Sequence, residues 1–474
     1  MKFMEKTDLN FYGEKDRHLE QSLGVRDFLA LGVGIIISTS IFTLPGVVAA
    51  KYAGPAVVFS FLIAGIVAGL VAFAYAEMAT VMPFAGSAYS WISVVFGEGF
   101  GWVAGWALLA EYLICVPFVA SGFSAYFQEV FRMINISLPA ALASPFGTKG
   151  GIVDIVSFVI ILVSAYVVFL GASDAGRVSQ VLVVLKLLAI LVFIGIGLTA
   201  LHAANYVPFI PPHDPKTGFG GIQGILSGVS VIFLAYIGFD SIAANSAEAK
   251  DPRRTMPRGI LGSLFAGIIM FAGVTLVLVG MFKYSEYAGN AAPVAWALSQ
   301  SGHTVIAELV SLTALAGMFI ALLGMELAGS RLLYAFGRDG MLPPVIGKLT
   351  PRGLPNNALF VVTVISVIIG AFIPFAQLAQ LISAGTLVAF MFVSLGMFGL
   401  RPREGKDLPK PSYKMPFYPV LPALGFLGSL GVFCLLSHNA QIYAGVWFVV
   451  GLIIYFVYGA NHRVTRKAGG PANE

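Results

Sequence analysis

The chain has 474 residues, of which 58% are apolar and only 11% charged, and its mean hydropathy is +0.88. Soluble domains carry about 25% charged residues, so lipid, not water, is the solvent for most of this surface. Nucleic-acid binding, disulfide-stapled secreted scaffolds and ordinary cytosolic enzymes are excluded at this point.

The first 26 residues are charged, with Lys2, Lys6, Lys15, Arg17 and Arg26 set against Glu5, Asp8, Glu14, Asp16 and Glu20. The first apolar run begins at Phe28 and many more follow, so it reads as a retained span rather than a cleaved signal. A helix crossing a hydrocarbon core of about 30 Å needs about 20 apolar residues. Twelve such segments are predicted, at 27–50, 55–82, 101–131, 152–170, 178–200, 222–248, 258–282, 304–327, 357–374, 377–400, 417–436 and 441–459. These runs are too long for barrel strands and lack period-two alternation. The fold class expected is an all-α polytopic membrane protein. Cys115 and Cys434 sit in apolar runs and read as buried small hydrophobes, not a disulfide.

Basic residues set the orientation. An even span count puts both termini on one side. That side collects 22 of the 28 lysines and arginines, the opposite side holds Lys51, Arg132, Lys149, Lys216 and Lys283, and Lys186 is left within the membrane. The expected topology is a multi-pass protein of the cell membrane with both termini cytoplasmic. The net charge of +5 is then a topology signal that needs no acidic partner.

Span 1 contains Gly32-Val33-Gly34-Ile35-Ile36-Ile37-Ser38-Thr39-Ser40-Ile41-Phe42, a small and polar interruption at mid-membrane. Span 6 is interrupted at Phe233-Leu234-Ala235-Tyr236-Ile237-Gly238-Phe239-Asp240. The two lie five spans apart, an odd number, so a unit beginning at span 6 enters from the opposite face. Interrupted helices at matched positions of inverted halves point to a central site in a secondary transporter. The expected organisation is a tail at 1–26, a first five-helix repeat at 27–200 and an extracellular loop at 201–221. A second, inverted repeat at 222–401, a cytoplasmic loop at 402–416, two extra helices at 417–460 and a tail at 461–474 complete it.

A broken helix offers free N–H groups from one half and free C=O groups from the other. An α-amino acid needs both, because it carries a carboxylate and an ammonium on one carbon. The N–H groups at Ser38, Thr39 and Ser40 suit the carboxylate, and carbonyls near Ile36 and at Leu234, Ala235 and Ile237 suit the ammonium. Backbone recognition avoids the cost of ionised side chains in lipid. Set against this is a pair of intact helices whose hydroxyls bond back to their own carbonyls and whose glycines merely pack. The matched positions favour the site.

Lys186 lies about nine residues beyond Arg177, about 13 Å into the membrane. Low dielectric penalises its charged form, so it can release and regain a proton in each cycle. The competing reading is a static ion pair that locks packing. Glu111 in span 3 lies at similar depth, and two arrangements are open, pairing with Lys186 or facing the substrate. Glu77 and Glu326 read as solvated charges near helix ends, and Asp240 as the N-cap of the second half of span 6. No metal-ligand spacing or nucleophile–base arrangement is found, which argues against an enzyme. No pore-lining stripe or filter loop is found either, which argues against a channel. No cofactor is expected, and the oligomeric state is not legible.

At the interrupted spans the sequence resembles the amino acid–polyamine–organocation transporters, within them the bacterial relatives of cationic amino-acid transporters. Further motifs carry the resemblance: Phe84-Ala85-Gly86-Ser87-Ala88-Tyr89, the segment Ala247-Glu248-Ala249-Lys250-Asp251-Pro252-Arg253-Arg254-Thr255-Met256-Pro257-Arg258-Gly259, and Ser330-Arg331-Leu332-Leu333-Tyr334-Ala335-Phe336-Gly337-Arg338-Asp339-Gly340. Ile36-Ile37-Ser38-Thr39-Ser40-Ile41-Phe42-Thr43-Leu44-Pro45-Gly46 is similar to the branched-chain amino-acid permeases of Gram-positive bacteria. Two positions depart from many relatives: Ser38-Thr39-Ser40 replaces a glycine-flanked triplet, and Leu234 stands where an aromatic gate is common.

The resemblance implies the ten-helix inverted-repeat fold, alternating access with substrate at the midplane, and a lysine where sodium-coupled relatives hold a cation. The expected function is proton-coupled import of L-amino acids, branched-chain ones (Leu, Ile, Val, with Met a further candidate) ahead of cationic or broad-range ones. Apolar stretches around Cys115, Val119, Met318, Leu322 and Leu234 are expected to face the pocket.

Overall fold

The computed structural model describes residues 2–9, 12–13, 23–84, 86–133, 136–148, 150–171, 175–290, 292–351, 353–373 and 375–463. The expectations for the tails at 10–11, 14–22 and 464–474, for Ala85 and Lys149, and for the side chain of Arg177 fall outside the described residues. Among those described there is no extended sheet, only isolated bridges. The chain is an all-helical, multi-pass membrane protein. Eight described segments are long and apolar enough to cross a membrane, and Ile155–Leu170, Asn356–Phe372 and Val420–Cys434 are shorter apolar helices.

We number the helices used below in chain order. Span 1 comprises α1 (Val25–Ile36) and α2 (Thr39–Val48), followed by α3 (Val57–Val81) and α4 (Ala88–Val95). Next come α5 (Glu98–Met133), α6 (Ile155–Leu170) and α7 (Ala175–Thr199). Span 6 comprises α8 (Gly221–Ile232), a 3-10 turn at Phe233–Tyr236 and α9 (Phe239–Ala244). Then follow α10 (Pro252–Met281), α11 (Pro293–Gln300), α12 (Thr304–Arg338), α13 (Asn356–Phe372), α14 (Phe375–Leu400), α15 (Val420–Cys434) and α16 (His438–Ile454).

The 36-residue α5 is the central post, about 54 Å long. It packs against α4, α6, α12, α13 and α14, while α10 packs against α1 and α3, and α15 lies on α14 and α3. Lipid supplies no hydrophobic drive between helices, so association rests on close packing. The outward faces are apolar, with Ile66, Tyr166, Val181, Phe265, Val305, Phe360 and Val446 all exposed. Such a surface suits hydrocarbon, where each helix satisfies its own backbone. Cys434 lies on this outer surface, contrary to the expected burial, because α15 presents one side outward. Cys115 is buried, and both thiols are free.

Charged residues tie helix ends together. Glu77 is fully buried and ion-paired with Arg401, whose Nε stands 2.7 Å from Oε1, while Oε2 accepts both from Arg401 Nη2 at 2.8 Å and from the Met415 N–H. It is therefore a desolvated pair, not the solvated charge expected. Tyr89 donates to Asp339 at 2.9 Å, and Arg338 pairs with the same carboxylate at 2.7 Å. Arg463 reaches both Glu5 and Glu98, joining the two ends of the described chain.

Candidate substrate site

Both interruptions are real breaks in the backbone. In span 1, α1 ends at Ile36, and Ser38 takes φ −115° and ψ −134° before α2 begins. In span 6 the 3-10 turn runs into Ile237 in extended conformation, and Gly238 adopts φ 135°. A Cβ at Gly238 would stand 2.7 Å from Ile35 Cγ2. Glycine is thus required twice, for the positive φ and for the approach of the two breaks.

A narrow cavity lies where the breaks meet. It is lined by Ile35, Ser38 and Ser40 of span 1, Cys115, Phe118 and Val119 of α5, Leu234 and Ile237 of span 6, and Ala321 and Met325 of α12. It has room for about one water, so a bound aliphatic side chain requires the helices to part. The walls are mostly apolar, and no acid or base is among these residues.

Of the residues expected from sequence, Ser38, Ser40, Leu234, Ile237, Cys115 and Val119 line the cavity. Ile36, Thr39 and Ala235 are buried beside it but are not among the lining residues. Thr39 packs on Gly122, and its hydroxyl has no hydrogen-bond partner among the described residues. Met318 and Leu322 are buried elsewhere on α12, which turns Ala321 and Met325 to the cavity instead. Ile35, Phe118, Ala321 and Met325 were missed because apolar residues in an apolar span give no signal of which face they occupy.

The first-turn N–H groups of α2, beginning at Thr39, have no intrahelical acceptor and surround the Ser38–Ser40 edge of the cavity. Among the α1 carbonyls, Val33 is used by the Ile37 N–H at 3.0 Å. The Leu234 carbonyl is not free as expected: it accepts the Ile237 N–H at 3.1 Å, because the chain tightens into a 3-10 turn there.

Lys186 is buried on α7, and its Nζ donates to the Gly34 carbonyl at 2.8 Å. That carbonyl lies in the last turn of α1, where the break removes its helical partner. A cation at a helix C-terminus also complements the helix dipole. The lysine stem runs over Gly317 of α12, where a Cβ would come within 2.6 Å of Lys186 Cδ. One side chain therefore spans α7, α1 and α12.

Glu111 does not pair with Lys186. Its Oε2 accepts from Thr386 of α14 at 2.7 Å, and Glu111 is not among the cavity-lining residues. Asp240 is not the N-cap, which is Gly238. It stands at the second helical position, and its Oδ1 accepts the Gly238 N–H at 3.0 Å while Oδ2 accepts from Tyr112 at 3.0 Å. Glu326 is fully buried, accepts from Ser164 at 2.9 Å and is not the solvated charge expected, since α6 covers it.

A family model described as "Amino acid permease" matches residues 23–464. The chain is 68% identical to the branched-chain amino acid permease BcaP of Lactococcus lactis subsp. cremoris (strain MG1363), over 97% of this chain and 99% of that protein. It is 34% identical to the methylthioribose transporter of Bacillus subtilis (strain 168), over 96% of each chain. It is 32% identical to the vacuolar cationic amino acid transporter 4 of Arabidopsis thaliana, over 82% of this chain and 65% of that protein. These relatives match over 82–97% of this chain and mark a transporter, not an enzyme. With a cavity held between two broken helices, the chain belongs to the amino acid permease family.

Proposed function

We propose that this protein imports branched-chain L-amino acids (leucine, isoleucine and valine, with methionine a further candidate) across the cell membrane by proton-coupled alternating access. The observation that carries the reading is the apolar, acid-free cavity between the two breaks, in a chain 68% identical to a branched-chain amino acid permease. An apolar wall stabilises an aliphatic side chain by about 0.8 kcal/mol per buried methylene. The same wall leaves a guanidinium or ammonium without partners.

In this reading the chain has twelve spans with both termini cytoplasmic. Residues 27–200 and 222–401 form the two inverted five-helix repeats, and 417–460 supply the two remaining helices. The N–H groups at Ser38–Ser40 hold the substrate carboxylate. Carbonyls near Ile36 and at Ala235 and Ile237 hold its ammonium, with Leu234 contributing its side chain. Lys186 is the proton carrier: charged, it holds the Gly34 carbonyl and fixes α1 against α7 and α12. Once neutral it binds that carbonyl more weakly, because hydrogen bonds from ionised donors are about twice as strong. Its proton state is thereby linked to the position of the span-1 break.

Labelled leucine uptake into proteoliposomes, with and without an inward proton gradient, tests the reading. Accumulation that collapses on adding a protonophore is expected. Accumulation driven by sodium and indifferent to the protonophore would refute it.

A further inference from the structure

The interior holds a second set of titratable groups, which the Lys186 mechanism does not use. Glu111 on α5 and Asp240 on α9 are fully buried, and their carboxyl groups lie within hydrogen-bonding reach of each other. The groups facing them are Tyr75 from α3, Tyr112 and Cys115 from α5, and Thr386 from α14. No lysine or arginine among the described residues pairs with either acid.

The hydrogen bonds are unequal. Both oxygens of Asp240 accept from fixed donors, the Gly238 N–H and the Tyr112 hydroxyl. Glu111 takes one donor, the Thr386 hydroxyl on Oε2, while its buried Oε1 has none. Two acids in contact, away from water and without a cation, cannot both be ionised. The oxygen without a donor, Oε1 of Glu111, is the one placed to carry a hydrogen.

We propose that Glu111 and Asp240 hold one proton between them, carried on Oε1 of Glu111 and donated to the Asp240 carboxylate, as a second proton site separate from Lys186. The shared proton fastens α9, the second half of span 6, to α5. Its loss leaves two carboxylates in contact, and their repulsion drives α9 from α5. Asp240 lies three residues beyond Ile237, which lines the cavity, so this separation is transmitted to the substrate site. Glu111 acts as a positioning residue and need not touch the substrate.

The test is infrared spectroscopy of the purified full-length protein in lipid at neutral pH, without substrate or gradient, so its outcome is independent of the transport reading. The protonated-carboxyl carbonyl band is compared between the unmodified protein and Glu111→Gln, Asp240→Asn, Lys186→Ala and Glu326→Gln. Expected is loss of one component in Glu111→Gln and its persistence in Lys186→Ala and Glu326→Gln. In Asp240→Asn it should shift, as the acceptor changes from a charged carboxylate to a neutral amide. A protonated-carboxyl region unchanged by both Glu111→Gln and Asp240→Asn would overturn the proposal. Should Glu111→Gln fail to fold, the Asp240→Asn shift decides alone.

Discussion

Lys186 Nζ stands 2.8 Å from the carbonyl oxygen of Gly34, the acceptor left without its helical donor by the break that follows Ile36. The contact joins an ionisable group on α7 to the helix end that borders the substrate cavity. It supplies a physical link between proton binding and the geometry of span 1.

Lys186→Ala should abolish gradient-driven uptake while leaving substrate binding detectable. It also removes the side-chain donor to the buried Gly34 carbonyl, a loss of about 1–3 kcal/mol. Uptake in proteoliposomes, ligand-induced thermal stabilisation and the melting temperature measure the three effects. Uphill uptake at the unmodified rate would remove Lys186 from the coupling mechanism.

Gly238→Ala should be more damaging than its size suggests. The residue adopts φ 135°, and a Cβ there meets Ile35. The backbone strain alone costs about 1–3 kcal/mol, and the overlap pushes the two breaks apart. A lowered melting temperature together with lost leucine binding is expected. Normal binding would mean that the close approach of the breaks is not needed for recognition.

Recognition by backbone groups makes the substrate's own charges indispensable. Leucine methyl ester and isoamylamine, which lack the carboxylate, should compete poorly against labelled leucine. Losing a charged hydrogen-bonding group of this kind typically costs about 1.5–3 kcal/mol, tenfold or more in affinity. Competition by the amine equal to that by leucine would refute carboxylate binding at Ser38–Ser40.

Arg401→Gln should destabilise the protein by about 3–5 kcal/mol, the usual result of leaving a buried charge unpaired. The companion variant Arg401→Gln with Glu77→Gln should recover most of that loss. Thermal unfolding in detergent measures both, and additive losses in the double variant would show that the two residues are not coupled.

The sequence made the two breaks legible, because small and polar residues at Ser38–Ser40 and around Gly238 interrupt otherwise uniform apolar runs. Lys186 was legible for the same reason, as a lone charge far from either interface. Less accessible was the rotation of each helix. Met318 and Leu322 look no different in sequence from Ala321 and Met325, yet α12 turns the latter pair to the cavity. Hydropathy also cannot reveal partners distant in the chain. Glu77 looked solvated until Arg401, more than three hundred residues away, was placed beside it. The role of Asp240 slipped by two positions because Gly238, not the acid, is the N-cap of α9.

The most direct test of the account is competition against labelled leucine in proteoliposomes carrying an inward proton gradient. An apolar cavity separates aliphatic substrates only shallowly, since one methylene is worth about 1–3 kcal/mol. Isoleucine, valine and methionine should therefore inhibit strongly and within a narrow range of one another, with arginine and lysine far weaker. Strong inhibition by arginine or lysine, with none by isoleucine or valine, would contradict it.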